Sequence, residues 1–284
     1  EVVQIDNSSG SVVRWNAFVN CSLAGVRTLA GTAAGNHVYE NNFYCGALSA
    51  RDPSGPVNFW YNTSRSRGNF WDDYAGTDTN GDFIGETPYN IPGGARRDLF
   101  PLVIPFEKEP PIAIAVTPPA LDEDTPALLN GSRSVDNVGV TGGWWVVQDT
   151  MGAITLPGLV VNYTFATPGQ FRVDLFVRDA WNNTGSAGAL IRVRDTTSPF
   201  ISGTPGAAVV NEDTFATLGV IASDNDPAFP SGATFFWFFA GPENLSAVTG
   251  GPTVPMNFST PGFYNASIFI QDGGGNSVSA NFTV

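Results

Sequence analysis

Residues 163–179 read YTFATPGQFRVDLFVRD, and residues 256–272 read MNFSTPGFYNASIFIQD. In both, an aromatic segment runs into Thr-Pro-Gly and then into an alternating stretch. Phe171, Val173, Leu175 and Val177 fall on one side, Arg172, Asp174 and Arg178 on the other, with Phe176 the one apolar residue on the polar side. A period of two with one apolar face is the mark of a half-buried antiparallel strand. Proline presets one turn torsion and glycine supplies a positive one, so Thr-Pro-Gly reads as the turn that launches the strand.

The two stretches belong to a longer repeat. Glu-Asp-Thr at 123–125 recurs at 212–214, Asp136-Asn137 at Asp224-Asn225, Trp145 at Trp237 and Asp179 at Asp272, with offsets of 88 to 93 residues. About seven short strands per copy predict a β-sandwich. The order Glu-Asp-Thr, Ser-x-Asp-Asn, a central Trp, Phe-x-Thr-Pro-Gly and a late Asp-x-x-x-Asn resembles the PKD (polycystic kidney disease) domain family. The resemblance implies immunoglobulin-like sandwiches of the kind found on prokaryotic surface proteins. One departure stands out: the family's Trp-Asp-Phe-Gly-Asp-Gly is WVVQDTMG at 145–152 and WFFAGPEN at 237–244.

Ahead of the copies, Asn followed by Phe recurs in WNAF (15–18), ENNF (40–43) and GNFW (68–71), spaced by one coil of a parallel β-helix. Cys21 and Cys45 lie 24 residues apart, so adjacent coils would bring them within reach of a disulfide. Two small buried residues is the other reading. Residues 68–103, GNFWDDYAGTDTNGDFIGETPYNIPGGARRDLFPLV, resemble the closing segment of NosD-type right-handed β-helix proteins. That resemblance implies that residues 1–67 are the last coils of a longer helix. The expected architecture is all-β: β-helix coils and a capping loop over 1–105, then tandem sandwiches over 106–195 and 196–284. The opening EVVQIDNSSG reads as mid-structure, so a processed product or part of a longer protein is expected.

Composition narrows the function. Among 284 residues there are 13 Lys+Arg against 26 Asp+Glu, a formal charge of -13, and the single Lys is Lys108. Nucleic-acid binding needs a basic surface and is excluded. No apolar run is long enough to span a membrane as a helix. Ten Asn-x-Ser/Thr sites occur, at Asn7, Asn20, Asn62, Asn130, Asn162, Asn182, Asn244, Asn257, Asn265 and Asn281. They point to a glycosylated extracellular or cell-surface protein.

Ca2+ is the expected ion. Asp78, Asn80, Asp82 and Glu86 present side-chain oxygens at alternate positions with the Ile84 carbonyl between them, resembling half of an EF-hand loop. Phe83 and Tyr89 depart from that pattern. In the sandwiches Glu123, Asp136 and Asp179 form one repeated acidic set, and Glu212, Asp224 and Asp272 the other. Residues 196–284 hold six acids and no Lys or Arg, so no ion pair within them offsets the repulsion.

Catalysis finds little support. His37 is the only His and reads as a coil side chain. Asp72 and Asp73 are adjacent on a strand and so face opposite sides. Copper, suggested by the NosD-type resemblance, would have one His and two Met (Met151, Met256), too few soft ligands. Outward aromatics from Trp144 and the run Phe235–Phe239 would instead meet a sugar or, as preferred, a neighbouring protein. The expected function is a non-enzymatic, calcium-stabilised surface scaffold or adhesive module, archaeal by its resemblances, that self-assembles or contacts other surface proteins. The alternative is the non-catalytic end of a polysaccharide-active β-helix enzyme; carboxylates or Arg lining coils ahead of Glu1 would favour it.

Overall fold

The structure is a computed structural model that describes residues 3–29, 33–46, 49–53 and 57–284. The chain forms two compact units, Glu1–Glu109 and Pro110–Val284. The described residues contain β-strands and no α-helix.

The first unit is a stack of parallel coils. Its strands are β1 (Val3–Ile5), β2 (Val12–Val13), β3 (Ala17–Val19), β4 (Val26–Thr28), β5 (His37–Val38), β6 (Asn42–Tyr44), β7 (Ala50–Arg51) and β8 (Phe70–Trp71). A hairpin of β9 (Tyr89–Asn90) and β10 (Arg97–Asp98) follows. Three parallel ladders run up the stack: β1-β4-β7, β2-β5 and β3-β6-β8. Strands this short bury little by themselves. Side chains in equal register therefore carry the core, stacking from coil to coil.

Phe18, Phe43 and Trp71 share one register position. Their rings lie parallel, at 4.8 Å for Phe18–Phe43 and 4.4 Å for Phe43–Trp71, and Tyr89 covers Trp71 at 4.3 Å. The GNFW motif thus enters one residue later than the Asn–Phe spacing implies. Phe70 pairs with Asn42 and turns outward toward Tyr44, because successive strand side chains alternate faces. Cys21 and Cys45 are joined across adjacent coils, with Cα atoms 5.2 Å apart.

Two ladders of side-chain amides run beside the aromatic stack. Asn16, Asn41 and Asn69 pass hydrogen bonds upward through their side chains, at 3.0 and 2.9 Å. This ladder ends on Asp98, whose carboxylate accepts from Asn69 N, Trp71 Nε1 and Phe100 N. The second runs from Asn36 to Asn58 and on to Asp52, which also accepts from Trp60 Nε1 and Thr28 Oγ1. Both acids are fully buried and each ends its ladder with an indole N–H donor. Gly68 leaves the space Asp98 needs; a Cβ there would sit 1.8 Å from Asp98 Oδ1.

The second unit contains two hydrophobic cores with no residue in common. The first is built by β11 (Ala120–Asp122), β12 (Pro126–Asn130), β13 (Val140–Asp149), β14 (Gly152–Pro157), β15 (Val160–Thr164), β16 (Gly169–Asp179) and β17 (Thr184–Arg194). A five-stranded sheet, β11-β17-β16-β13-β14, packs on the β12-β15 pair. The second core lies among β18 (Phe200–Gly203), β19 (Phe215–Gly219), β20 (Ile221–Ser223), β21 (Thr234–Ala240), β22 (Asn244–Thr249), β23 (Thr253–Asn257), β24 (Asn265–Gln271) and β25 (Ser277–Thr283). Its main sheet runs β22-β21-β24-β25, with β19-β23 and β18-β20 as separate pairs.

The copies agree down to backbone torsions. Trp145 and Trp237 are both fully buried, and they pair with Leu175 and Ile268. Asp124 and Asp213 both adopt positive φ, at 55° and 57°, and donate to the carbonyls of Phe165 and Phe258. Asp179 and Asp272 each accept the amide four residues on, from Asn183 and Asn276. These are immunoglobulin-like sandwiches in tandem.

Candidate cation site at the joint between the sandwiches

The connection between the sandwiches, 195–199, follows the last strand of the first, and a carboxylate of that sandwich holds it. Glu123 sits in the Glu-Asp-Thr turn and is 3% exposed. Its amide donates to Arg194 O, which fixes the turn against the end of β17. Its Oε1 accepts from Thr196 N at 2.8 Å and Thr197 N at 2.7 Å, and its Oε2 from Asn225 Nδ2 at 2.5 Å. Burial pushes its acidity weaker, but the bonds from Thr197, Thr196 and Asn225 outweigh that and hold its pKa below the usual value.

Around this clasp stand Asp195 on the connection, Asp224, Asn225 and Asp226 in one loop of the second sandwich, and Asp272 in another. In each of four of them one oxygen is satisfied or the amide is engaged, and one oxygen is not. Asp195 Oδ1 accepts from Thr197 N, Asp224 Oδ1 from Asp226 N and Asp272 Oδ1 from Asn276 N. Asp195 Oδ2, Asp224 Oδ2, Asn225 Oδ1 and Asp272 Oδ2 are buried without a donor. Buried polar atoms in native proteins nearly always have a partner; one unpartnered buried donor, Asn276 Nδ2, lies beside Asp195 Oδ2, and its counterpart Asn183 Nδ2 in the first sandwich donates to Asp179 Oδ2 at 2.7 Å.

Mutual repulsion marks how close these groups lie. Asp195 is pushed up to about 6, by burial first and then by the charges of Asp272, Asp224 and Glu123. Asp224 is raised by burial, with the charges of Asp272 and Asp226 adding to it. None of the ion pairs among the described residues reaches these acids; Arg194, the nearest in sequence, is engaged by Asp122 at 2.6 Å. A cleft of about 630 Å³, lined by Arg192, Asp195, Asp226, Gly273 and Gly274, opens beside them.

The acidic sets anticipated for each sandwich regroup. Glu123 does not join Asp136 and Asp179; it belongs with Asp224 and Asp272 of the next sandwich, because its turn lies at the end from which β17 leaves. Asp136 and Asp179 do approach each other, with oxygens within 4.8 Å. Glu212 is apart from Asp224 and Asp272. It lines an apolar cavity of about 540 Å³ with Val209, Phe258 and Phe263. Asp195 carried no sequence signal beyond lying in a Pro-containing break.

In the Asp78–Glu86 loop the oxygens close the loop itself. Asp78 accepts the amides of Gly81, Asp82 and Phe83, and Asp82 accepts that of Ile84 and the Asn80 side-chain amide. Glu86 accepts from the amide and hydroxyl of Thr79, and these bonds hold its pKa low.

Catalytic candidates diverge. The His37 ring stacks on Phe59 at 4.8 Å. Asp72 accepts from Gly46 N and Asp73 from Tyr89 Oη, so the two carboxylates serve different partners.

Eight of the ten Asn-x-Ser/Thr asparagines are exposed, the exceptions being Asn62 and Asn130. Both half-buried ones are engaged locally: Asn62 Oδ1 accepts from Ser64 N, and Asn130 Oδ1 from the Ser132 amide and hydroxyl. No helix among the described residues is long and apolar enough to cross a membrane.

The strands define the class, parallel β-helix coils followed by tandem immunoglobulin-like sandwiches. Residues 2–76 match the family described as "Periplasmic copper-binding protein (NosD)". No curated protein matches the chain. Among solved structures it is similar to one described as "Structural basis for the promiscuous specificity of the carbohydrate- binding modules from the beta-sandwich super family", at 19% identity and TM-score 0.30, covering 58% of this chain and 59% of that one. It is similar to "Crystal structure of DIP-gamma IG1+IG2" at 15% identity and TM-score 0.39, covering 62% and 97%. For "Protocadherin Gamma B2 extracellular cadherin domains 3-6" the values are 15% and 0.36, covering 65% and 52%.

The donors present do not suit the copper of that description. Within residues 2–76 the nitrogen and sulfur ligands are His37, stacked on Phe59, and two cysteines tied in a disulfide. Met151 is 94% exposed and Met256 lies in the second sandwich core. These do not assemble a soft-ligand site.

Proposed function

We propose that this chain is a non-enzymatic structural segment of an extracellular or cell-surface protein. Its sandwiches would present contact faces for neighbouring surface proteins or for further copies of itself. One observation supports this most directly: an outward-facing aromatic pair recurs at the same register in both sandwiches. Trp144 pairs with Phe176 across β13 and β16, ring centroids 5.3 Å apart and stacked. Phe236 pairs with Phe269 across β21 and β24 at 5.7 Å, flanked by Phe238, which is 50% exposed, and Val248. Neither pair belongs to a core. Aromatic area kept on the solvent face of a sheet, twice in one position, suits a contact surface.

The test is self-association of the purified chain, followed by sedimentation and by electron microscopy. The expected result is concentration-dependent assembly that Phe238→Ser with Phe269→Ser abolishes without lowering the melting temperature. Unchanged assembly in that variant would remove the contact-face reading. Capture by a polysaccharide column, lost in the same variant, would favour the carbohydrate-binding reading instead. On material from its native source, glycopeptide mass spectrometry should find modification at exposed asparagines such as Asn182 and Asn265 and none at Asn62 or Asn130. Ten unmodified sites would remove the surface-glycoprotein reading.

A further inference from the structure

We infer that the outer face of the β4–β7 ladder carries a binding site for the carboxylate of an acidic sugar polymer, with the guanidinium groups of Arg27 and Arg51 as its two arms. β4 pairs in parallel with β7, and Arg27 stands opposite Arg51 in that register. Val26, Thr28 and Ala50 are buried, so by alternation both arginines point out of the coils. Neighbouring strands lie about 4.8 Å apart, which sets two positive side chains one above the other. Gln4 continues the row on the preceding coil.

Such a pair repels itself unless something negative joins it. The chain has twice as many acids as bases, yet none of the ion pairs among the described residues includes Arg27 or Arg51. Arg27 Nε is moreover buried without a hydrogen-bond acceptor. A charged N–H cut off from water and left unbonded is costly, so an acceptor from outside the chain is called for. Guanidinium forks are shaped for this, since each can give two parallel N–H bonds to one oxyanion.

The surroundings select a sugar. A cavity of about 370 Å³ is lined by both arginines with Ser22, Leu23, Pro92 and Gly93, and no acid lines it. Leu23 is 62% exposed and offers an apolar surface to the C–H face of a sugar ring, while Ser22 offers a hydroxyl to its oxygens. Gly93 keeps the turn between β9 and β10 clear of the site; a Cβ there would come within 3.0 Å of Arg51 Cγ. A densely charged polymer is repelled by a chain with a formal charge of -13. A polymer with a single carboxylate on each sugar meets two fixed cations on an otherwise uncharged lining.

This site lies in the first unit and does not rest on the aromatic contact faces, so Phe238→Ser with Phe269→Ser should leave it intact. The full chain is titrated by calorimetry with an oligogalacturonate, with a neutral galactose oligomer of equal length and with sodium sulfate. The expected result is binding of the oligogalacturonate that weakens with added salt, and far weaker binding of the neutral oligomer. Arg27→Gln and Arg51→Gln should each bind the oligogalacturonate roughly tenfold or more weakly. Arg27→Lys should also bind less well, because it keeps the charge and loses the fork. Both Gln variants should melt with the parent, since neither side chain is bonded within the chain; a purely structural arginine would instead lower the melting temperature and leave binding unchanged. Arg133→Gln, at an exposed arginine of the first sandwich, should bind as the parent does. A parent that does not bind the oligogalacturonate would overturn the inference, as would equal affinity in the parent and both Gln variants, or a neutral oligomer bound as tightly. Sulfate bound as tightly as the oligogalacturonate would mean an adventitious ion only and overturn the assignment to a sugar polymer.

Discussion

Trp71→Ala is expected to lower the stability of the β-helix unit by roughly 4–5 kcal/mol, the upper range for deleting a buried aromatic. Trp71 is 1% exposed and lies between Phe43 and Tyr89 at 4.4 and 4.3 Å, so the deletion opens a gap in the middle of a continuous stack. It also takes an indole donor from Asp98, and an under-satisfied buried carboxylate adds to the cost. Trp71→Phe keeps most of the packing and removes only the donor, so it should fall between. Phe70→Ala, one residue earlier but half-buried and outward, should cost far less. Denaturant unfolding of the three variants gives the ranking; a Trp71→Ala loss no greater than that of Phe70→Ala would show that the stack does not hold the coils.

The second large effect is a pH dependence centred on Asp98. Burial raises its pKa to about 7, and the bonds from Asn69, Phe100 and Trp71 only partly offset that rise. In the unfolded chain it titrates near 3.8, as an ordinary aspartate does. Between those two values the folded chain keeps a proton that the unfolded chain has lost. Stability therefore falls as pH rises through this window and levels off above it. A shift of this size corresponds to roughly 4 kcal/mol. Asp78 and Glu86 shift the opposite way, but they lose their contribution only as pH falls below the ordinary carboxylate range. The first unit should thus be more stable at pH 5 than at pH 8. In Asp98→Asn the slope should flatten, because the titrating group is gone while its carbonyl oxygen still accepts from Asn69 and Trp71. A variant with the parent's slope would place the dependence elsewhere.

The sandwiches were legible because their signals are local. Alternation in FRVDLFVRD sets which residues are buried, and a repeated Trp-to-strand spacing makes Trp145 and Trp237 take the same register. The coils were legible from the Asn–Phe spacing, but the last one was off by a residue. A repeat period fixes the coil length only approximately, and inward or outward facing changes with every step along a strand. Asp52 carried no signal and Asp98 stood out only as part of the closing segment's resemblance, since nothing near them in sequence shows that an amide ladder needs an acceptor at its end. The acidic sets are regrouped, Asp136 staying with Asp179 and Asp224 with Asp272 while Glu123 changes company, for a topological reason. Position in a repeat tells which residues are equivalent, but whether two loops share an end of a sandwich depends on strand order. Glu123 is the counterpart of Glu212 and Asp224 that of Asp136, yet the chain path brings Glu123 and Asp224 to one place.

Glu123 also bears on mechanics. Two amides of the connection, Thr196 and Thr197, end on one carboxylate oxygen, and its partner oxygen holds Asn225 of the next sandwich. A pull that separates the sandwiches along the chain cannot peel these bonds one at a time, because they converge on a single side chain. The load falls on them in parallel, and behind them on the Glu123–Arg194 bond at the end of β17. The joint would then yield abruptly at a threshold force instead of stretching gradually, and the connection would stay folded against the first sandwich until the clasp gives way.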